Sequence, residues 1–197
     1  MSRAQIDQAG LNLLFMEART QNSWHQKPVP EDLMRRVFDL MKMAPTSANC
    51  SPGRFVFVAS SEGKDKLKPA LSEGNLAKTM SAPLTVIIAY DMEFYEHLPK
   101  LFPHTDARAW FTGHDDLIHE TAFRNGSLQG AYLMMAARAL GLDCGPMSGF
   151  DTDKVNSTFF PDGRFKVNFI CNVGYGDDKE VYPRGPRFEF DEVCAIV

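Results

Sequence analysis

The amino-acid sequence predicts a layered domain of the α/β or α+β class, and three observations predict it. Residues 82–90, APLTVIIAY, form a continuous apolar run of the length of a strand buried on both faces. Residues 54–59 (RFVFVA) and 165–174 (FKVNFICNVG) are β-branched and aromatic, as strands are. Residues 121–150 open with one long helix, apolar on nearly every face from Ala131 to Ala137, which reads as buried. Helices alternating with three or four strands give a sheet covered by helices. No internal repeat or low-complexity segment appears.

Taken in order, residues 4–18 read as an amphipathic helix with Ile6, Leu11, Leu14, Phe15 and Ala18 as its stripe. Arg19 to Trp24 is a polar loop with one guanidinium and one large aromatic. Pro28-Val29-Pro30 is extended, and a helix from Glu31 to Met43 turns Leu33, Val37, Leu40 and Met41 inward. Ala44 to Pro52 is a compact polar turn between prolines, offering two hydroxyls, an amide and free backbone N–H groups. Glu62–Ala70 is a helix. Leu71–Met80 is a loop or an interrupted helix, because Gly74-Asn75 breaks it.

After the central strand, residues 91–118 form a less regular excursion holding His97, Phe102, His104, Trp110, Phe111 and His114. That is the natural place for a lid or a substrate-facing insertion. In the long helix Gly126 and Gly130 are four apart and share one face, at a cost in helix propensity. Another backbone is expected to approach that face, from a neighbouring helix or a second subunit. Gly141 caps the helix. Leu142 to Phe150 is expected to be a short turn in which Gly145 and Gly149 flank exposed main chain, so that a flat ligand can lie against it. Asp153–Phe159 is a short helix, and the tail is marked by Pro and Arg.

A chain of 197 residues fits one domain, or one domain with arms, and 44% hydrophobic residues supply a sizeable core. A net charge of −4 and a pI near 5.7 give no broad basic field, which argues against a nucleic-acid partner. The four cysteines, Cys50, Cys144, Cys171 and Cys194, show no C-x-x-C spacing for zinc. Met1 to Gly10 is polar and does not read as a signal peptide. No apolar run approaches the roughly 20 residues of a membrane span. The expected compartment is the cytoplasm, with the cysteines as reduced thiols.

Among candidate chemistries, His114 and His119 stand five apart without an H-E-x-x-H, so no metal site is expected. There is no G-x-S-x-G for a hydrolase, no G-x-G-x-x-G after a strand and no P-loop. What remains is distributed. Polar loops at Arg19–Asn22, Pro45–Asn49 and Gly145–Gly149 each end an apolar element, and Pro183–Arg187 carries paired cations. Arg19, Arg184 and Arg187 can together hold a phosphate, which suits the guanidinium fork. Taken singly, each is more often a solvated surface cation.

This ordered set resembles the flavin-dependent nitroreductase superfamily. The shared features are the Arg-bearing first loop, Pro-Thr-Ser-x-Asn before a strand, the Ala-Pro strand, the helix ending A-A-R-A-L-G-L-D, the Gly-Pro-Met loop and a late basic residue. More narrowly, PTSANCSPGRFVFV, YDMEFYEHLPKLFPH, ETAFRNGSLQGAYLMMAARALGLDCGPMSGFD and NVGYGD resemble its malonic semialdehyde reductase branch of pyrimidine degradation. The resemblance runs from about Phe15 to the end of the chain.

The resemblance implies an α+β fold with a central mixed sheet flanked by helices. It implies one domain over residues 1–197, with 91–118 as a lid or insertion and 175–197 as an arm. It also implies an intertwined homodimer with FMN in grooves at the subunit interface, the long helix forming the dimer core with Gly126 and Gly130 on its contact face. Carried over by position, Arg19, with Asn22 beside it, would meet the FMN phosphate or ribityl chain. Ser47 and Asn49 would line the flavin ring. Pro146, Met147, Ser148 and Gly149 would lie against the isoalloxazine, and Arg187, or Arg184, would complete the phosphate site. The first loop departs from the family pattern, since Arg19 is followed by Thr20, Gln21 and Asn22 rather than further basic residues. That implies a weaker grip on the phosphate.

The activity implied is ping-pong transfer of reducing equivalents from NADH or NADPH through FMN to malonic semialdehyde, giving 3-hydroxypropanoate. No side chain is an obligatory acid, because the cofactor carries the hydride chemistry. Reduced flavins reduce nitro groups and quinones readily, whereas a simple aldehyde needs its carbonyl polarised. His104, Arg108 and Arg124 are the candidates for the substrate's carboxylate. A general nitro and quinone reductase is the alternative. A non-catalytic flavin-binding protein is the alternative from another class.

Overall fold

The first helix starts where Asp7 accepts the Gly10 N–H with its carboxylate, an N-cap bond of 2.8 Å. In the computed structural model, which describes residues 4–197, α1 (Gln8–Leu11) runs into a π-helical turn, Asn12–Met16. The helix is thus shorter than its stripe predicts. Ile6, Leu13, Phe15 and Met16 stay exposed, because no other described residue covers them. α2 (Glu31–Met41) opens after Pro30 with two acids in its first turn, which suits the helix dipole. Val37 and Met41, four apart, set its buried line. Leu40 lies about 100° round the helix from Met41 and is 50% exposed, contrary to expectation.

β1 (Gly53–Val58) is followed by α3 (Ser61–Leu67), capped by the Ser60 hydroxyl. α4 (Glu73–Ser81) runs straight through Gly74-Asn75. Those residues fall in its first turn, where N–H groups have no partner inside the helix anyway. β2 (Leu84–Asp91) is buried at every residue. α5 (Leu98–Leu101) sits in the excursion. α6 (Asp115–Ala139) begins six residues before 121. β3 (Asp143–Met147), α7 (Thr152–Phe159), β4 (Phe165–Gly174) and α8 (Phe190–Val193) complete the order.

The strands lie β1-β2-β4-β3, and all three pairings are antiparallel. Among the described residues the one parallel pairing is an isolated bridge, Thr20 to Cys144, so the mixed character is confined to the outer edge of β3. Side chains alternate across the sheet. Val86, Ile88, Cys171 and Val173 face α2 and α6, meeting Met41, Leu133 and Ala137. Ile87, Ala89 and Ile170 face α3 and α7, meeting Leu67 and Val155. A third cluster of Tyr90, Phe94, Leu98, Phe111 and Ile118 anchors the excursion. No described helix is long and apolar enough to cross a membrane.

Two expectations change here. The small face of α6 meets its own sheet rather than another helix or subunit. A Cβ on Gly130 would stand 2.6 Å from the Phe169 ring, and one on Gly126 would stand 3.0 Å from the Tyr90 Cβ. Within the chain α6 is buried on that side only, and Phe123, Leu128 and Ala131 are exposed. Residues 143–147 are not an exposed turn. They form an edge strand with Cys144, Gly145 and Met147 buried, and only Ser148 and Gly149 stand open. Pro146 lacks an N–H and fits such an edge.

Candidate functional site

Four guanidinium groups gather where the first loop, the end of α6 and the C-terminal tail meet. Arg19, Arg138, Arg184 and Arg187, with Asn22, Thr20, Phe15 and Tyr182, line a cleft of about 530 Å³. Main-chain carbonyls hold them in place. Arg138 donates to Leu14 O at 3.1 Å, and Arg184 to Met16 O at 2.6 Å and Ala18 O at 3.0 Å. Arg19 donates to Tyr182 O, and Arg187 to Gly185 O and Pro186 O. Among the described residues, none of the four has a carboxylate oxygen within 4.0 Å. Carbonyls orient a guanidinium but do not neutralise it. The cleft therefore carries a concentrated positive charge that a phosphate dianion would relieve.

The loop is positioned by β3. Gln21 N–H donates to Cys144 O at 3.0 Å beside the Thr20 bridge. This approach requires Gly145, since a Cβ there would stand 2.5 Å from Gln21 O. The same loop draws in the tail. Gln21 donates to Asp178 at 3.0 Å, and the Ser23 hydroxyl donates to Asp177 O at 2.6 Å. Arg184 and Arg187 are delivered to Arg19 this way. Asn22 accepts from Lys78 at 3.5 Å, on the rim shared with a second cleft of about 500 Å³ beside Trp24, Lys78 and Glu180. Arg138 carries no signal in the sequence beyond a cation in the last turn of a helix, where any lysine or arginine suits the dipole.

Ser47 and Asn49 do not line that cleft. They lie on a 3-10 turn, Ser47–Asn49, leading into β1, with their side chains exposed. The expected free N–H groups are largely spent. Those of Ser47, Asn49, Cys50, Ser51 and Gly53 donate to Asn125, Thr46 O, Ser47 O, the Thr46 hydroxyl and Gln129 respectively. The Asn49 amide donates to Leu101 O at 2.9 Å. Burial pushes the Cys50 thiol up to about 11, so it is inert at neutral pH.

Pro146 and Met147 end β3 at the other edge of the sheet, and Ser148 and Gly149 follow it. Met147 accepts the Thr79 hydroxyl at 3.4 Å, and Gly149 O accepts from the Ser72 hydroxyl at 2.7 Å and Asn75 at 2.8 Å. Beneath them runs a buried polar network. Lys64, 6% exposed, donates to Thr79 O at 2.7 Å and to Thr85. Thr85 donates to Asn172, which donates to Thr79. Burial pulls the Lys64 ammonium down to about 8.

The three substrate candidates do not converge. Arg108 is paired with Glu96 by bonds of 2.7 and 2.8 Å, and Arg124 with Glu120 one turn away. His104 stands edge-on to Phe102. The excursion that carries His104 and Arg108 is tied down by Asp91, which has no exposed surface. Its carboxylate accepts from Arg54, from Arg164 twice at 2.8 Å, and from the Glu93 N–H. Burial alone would raise Asp91, but Arg164, the Glu93 N–H and Arg54 together hold its carboxyl below the usual range. Among the described residues no group of His, Cys, Asp and Glu is placed to hold a metal.

The Nitroreductase family model matches residues 16–175. A protein of Burkholderia lata is 61% identical over 191 residues, covering 97% of this chain and 98% of its own length. One of Polynucleobacter asymbioticus is 57% identical over 192 residues, covering 98% of each. Both carry the provisional name NADH dehydrogenase/NAD(P)H nitroreductase. Among solved structures, a provisionally assigned nitroreductase of Exiguobacterium sibiricum in complex with FMN aligns with a TM-score of 0.85 at 18% identity, covering 100% of both chains. The nitroreductase-like YdfN of Bacillus subtilis aligns at 0.86 and 22% identity, covering 97% of this chain and 100% of its own.

Proposed function

Because the chain belongs to the nitroreductase family, we propose that it is an NAD(P)H-dependent flavin oxidoreductase that holds FMN. The observation that carries this is the arginine cleft. Four guanidinium groups without acidic partners fit one phosphate monoester and its ribityl chain. Arg19, Arg184 and Arg187 hold the phosphate together with Arg138, and Asn22 closes the rim. FMN, when bound, supplies the hydride transfer between nicotinamide and acceptor. The protein's part is to bind, orient and exclude water.

A homodimer is part of this reading. Ser47 and Asn49 precede β1, and Ser148 and Gly149 follow β3, at opposite edges of a four-stranded sheet. At about 4.8 Å per strand those edges lie some 14 Å apart. On this reading the two segments that line one ring come from two copies. The exposed Phe123 and Leu128 on α6 and Phe188 and Phe190 on the tail support the same reading.

The proposed acceptor is malonic semialdehyde, reduced to 3-hydroxypropanoate. The motif matches at 45–58, 90–104, 120–151 and 172–177 support it. A second reading, a general nitro and quinone reductase, is favoured by the pairing of Arg108 and Arg124 with glutamates, which leaves neither preset for a substrate carboxylate. An anaerobic titration of FMN-loaded protein separates them. NADH or NADPH is added first, then the aldehyde, with flavin absorbance followed. Reoxidation by the aldehyde supports the first reading. Reoxidation by nitro compounds or quinones alone supports the second. A flavin that neither nicotinamide bleaches removes both, leaving a non-catalytic flavin binder.

A further inference from the structure

The Pro45–Pro52 loop holds three residues other than glycine in the left-handed region: Ala48 at φ 48°, Asn49 at φ 50° and Ser51 at φ 39°. L-residues avoid that region because Cβ crowds the following carbonyl. Such a conformation persists where the surroundings over-determine it. Here the surroundings are two side chains on α6. Asn125, fully buried, accepts the Ser47 N–H at 2.9 Å and donates to Thr121 O at 2.9 Å. Gln129, one turn along and also buried, accepts the Gly53 N–H at 2.6 Å. Between them they grip both ends of the loop. The Tyr132 hydroxyl adds a bond to Pro45 O at 3.1 Å. Burying two amides on the sheet-facing side of a helix costs desolvation unless they bond well, and an apolar pair would fill the space without that cost.

We propose that Asn125 and Gln129 are positioning residues for the flavin. They take the Ser47 and Gly53 N–H groups at its two ends and fix the strained turn between them, so that the Ser47 and Asn49 side chains face outward as one wall of the ring site. Both amides are buried beneath the loop. The proposal rests on the reading of this loop as a flavin-facing wall.

The test measures FMN dissociation constants by flavin fluorescence on the full-length protein, with thermal unfolding of the apoprotein alongside. Asn125→Leu and Gln129→Met each weaken FMN binding by about tenfold or more, the worth of one well-made buried hydrogen bond. Gln129→Glu keeps the accepting oxygen and restores affinity towards the parent's. Ser47→Tyr, which fills the wall from its exposed side, abolishes binding. If Asn125→Leu and Gln129→Met lower only the melting temperature and bind FMN as the parent does, the clasp is a strap and the proposal falls, while Ser47→Tyr still reports on the wall. If Ser47→Tyr binds FMN normally, the wall reading falls and the proposal with it. Should Asn125→Leu fail to fold, Asn125→Asp decides. A neutral buried acid reproduces both bonds of the amide, and an ionised one repels Thr121 O. Its FMN affinity relative to the parent must then fall as pH rises, and a flat ratio overturns the proposal.

Discussion

Two clusters of arginine in this molecule are built in opposite ways. Arg54 and Arg164 close on Asp91, a carboxylate with no exposed surface, and tie β1, β2 and the approach to β4 to the base of the excursion. Among the described residues, Arg19, Arg138, Arg184 and Arg187 close on no carboxylate and lean on main-chain carbonyls. The first cluster is complete as it stands, and its work is stability. The second is left with charge to spare, and on the proposed reading its work is to bind an anion. Guanidinium groups alone do not distinguish the two roles; the presence or absence of a buried acid among them does.

The largest effect on this contrast comes from Asp91→Asn. It leaves Arg54 without its carboxylate and Arg164 with only the half-exposed Glu93, 3.2 Å away, and lowers unfolding free energy by about 3 kcal/mol, measured by denaturant titration. The folded fraction should bind FMN as before. The linked pH effect has a definite sign. Asp91 is depressed in the folded state, so its contribution is present above the ordinary carboxylate range and is lost as pH falls below about 4. Asp91→Asn should remove that acid-side loss.

Next in size are the cleft arginines. Arg19→Ala or Arg138→Ala should weaken FMN binding by roughly tenfold to a hundredfold, the worth of a charge-assisted bond, with the fold intact and the elution volume on size exclusion unchanged from the parent's. Unchanged flavin occupancy would remove that residue from the site. Parent affinity should also fall with added salt, while the buried Asp91 cluster is screened much less.

Lys64 sharpens the contrast from a third side, as a buried cation whose partners are uncharged. Its folded value of about 8 lies below the ordinary 10.5, so the unfolded chain binds more protons between those limits. Stability should rise as pH rises from about 8 to 10.5, by up to about 3 kcal/mol relative to Lys64→Met. A flat difference would show that the ammonium is not desolvated. The smallest effect belongs to Arg124→Ala, which breaks an exposed i,i+4 pair and should shift stability by no more than about 0.5 kcal/mol. If that variant also left the aldehyde titration unaltered, Arg124 would cease to be a substrate ligand.

What could be read from the residues follows how local each signal is. Phe165–Gly174 was legible to the residue, because its composition and length suffice for a strand. β3 was not, because Gly145-Pro146 carries turn chemistry and becomes a strand only by pairing with β4. The cations of the first loop and tail stood out as candidates, while Arg138 looked like an ordinary helix-end charge. Asp91 and Arg164 lie 73 positions apart, and nothing local joins them. Asn125 and Gln129 carry no local signal in the sequence. Their use appears only when the loop before β1 is laid against them.

The arginine cleft draws its parts from nearly the full length of the sequence, Arg19 to Arg187. During synthesis the chain emerges N-terminus first. All four strands can be made before Arg184 leaves the ribosome, yet half of the guanidinium groups are still missing. Flavin capture on this reading is a late event, and yellow colour reports a chain translated past Arg187. A product clipped just ahead of Arg184 would keep its sheet and come off a column colourless, a sign of a lost terminus rather than of a misfolded core.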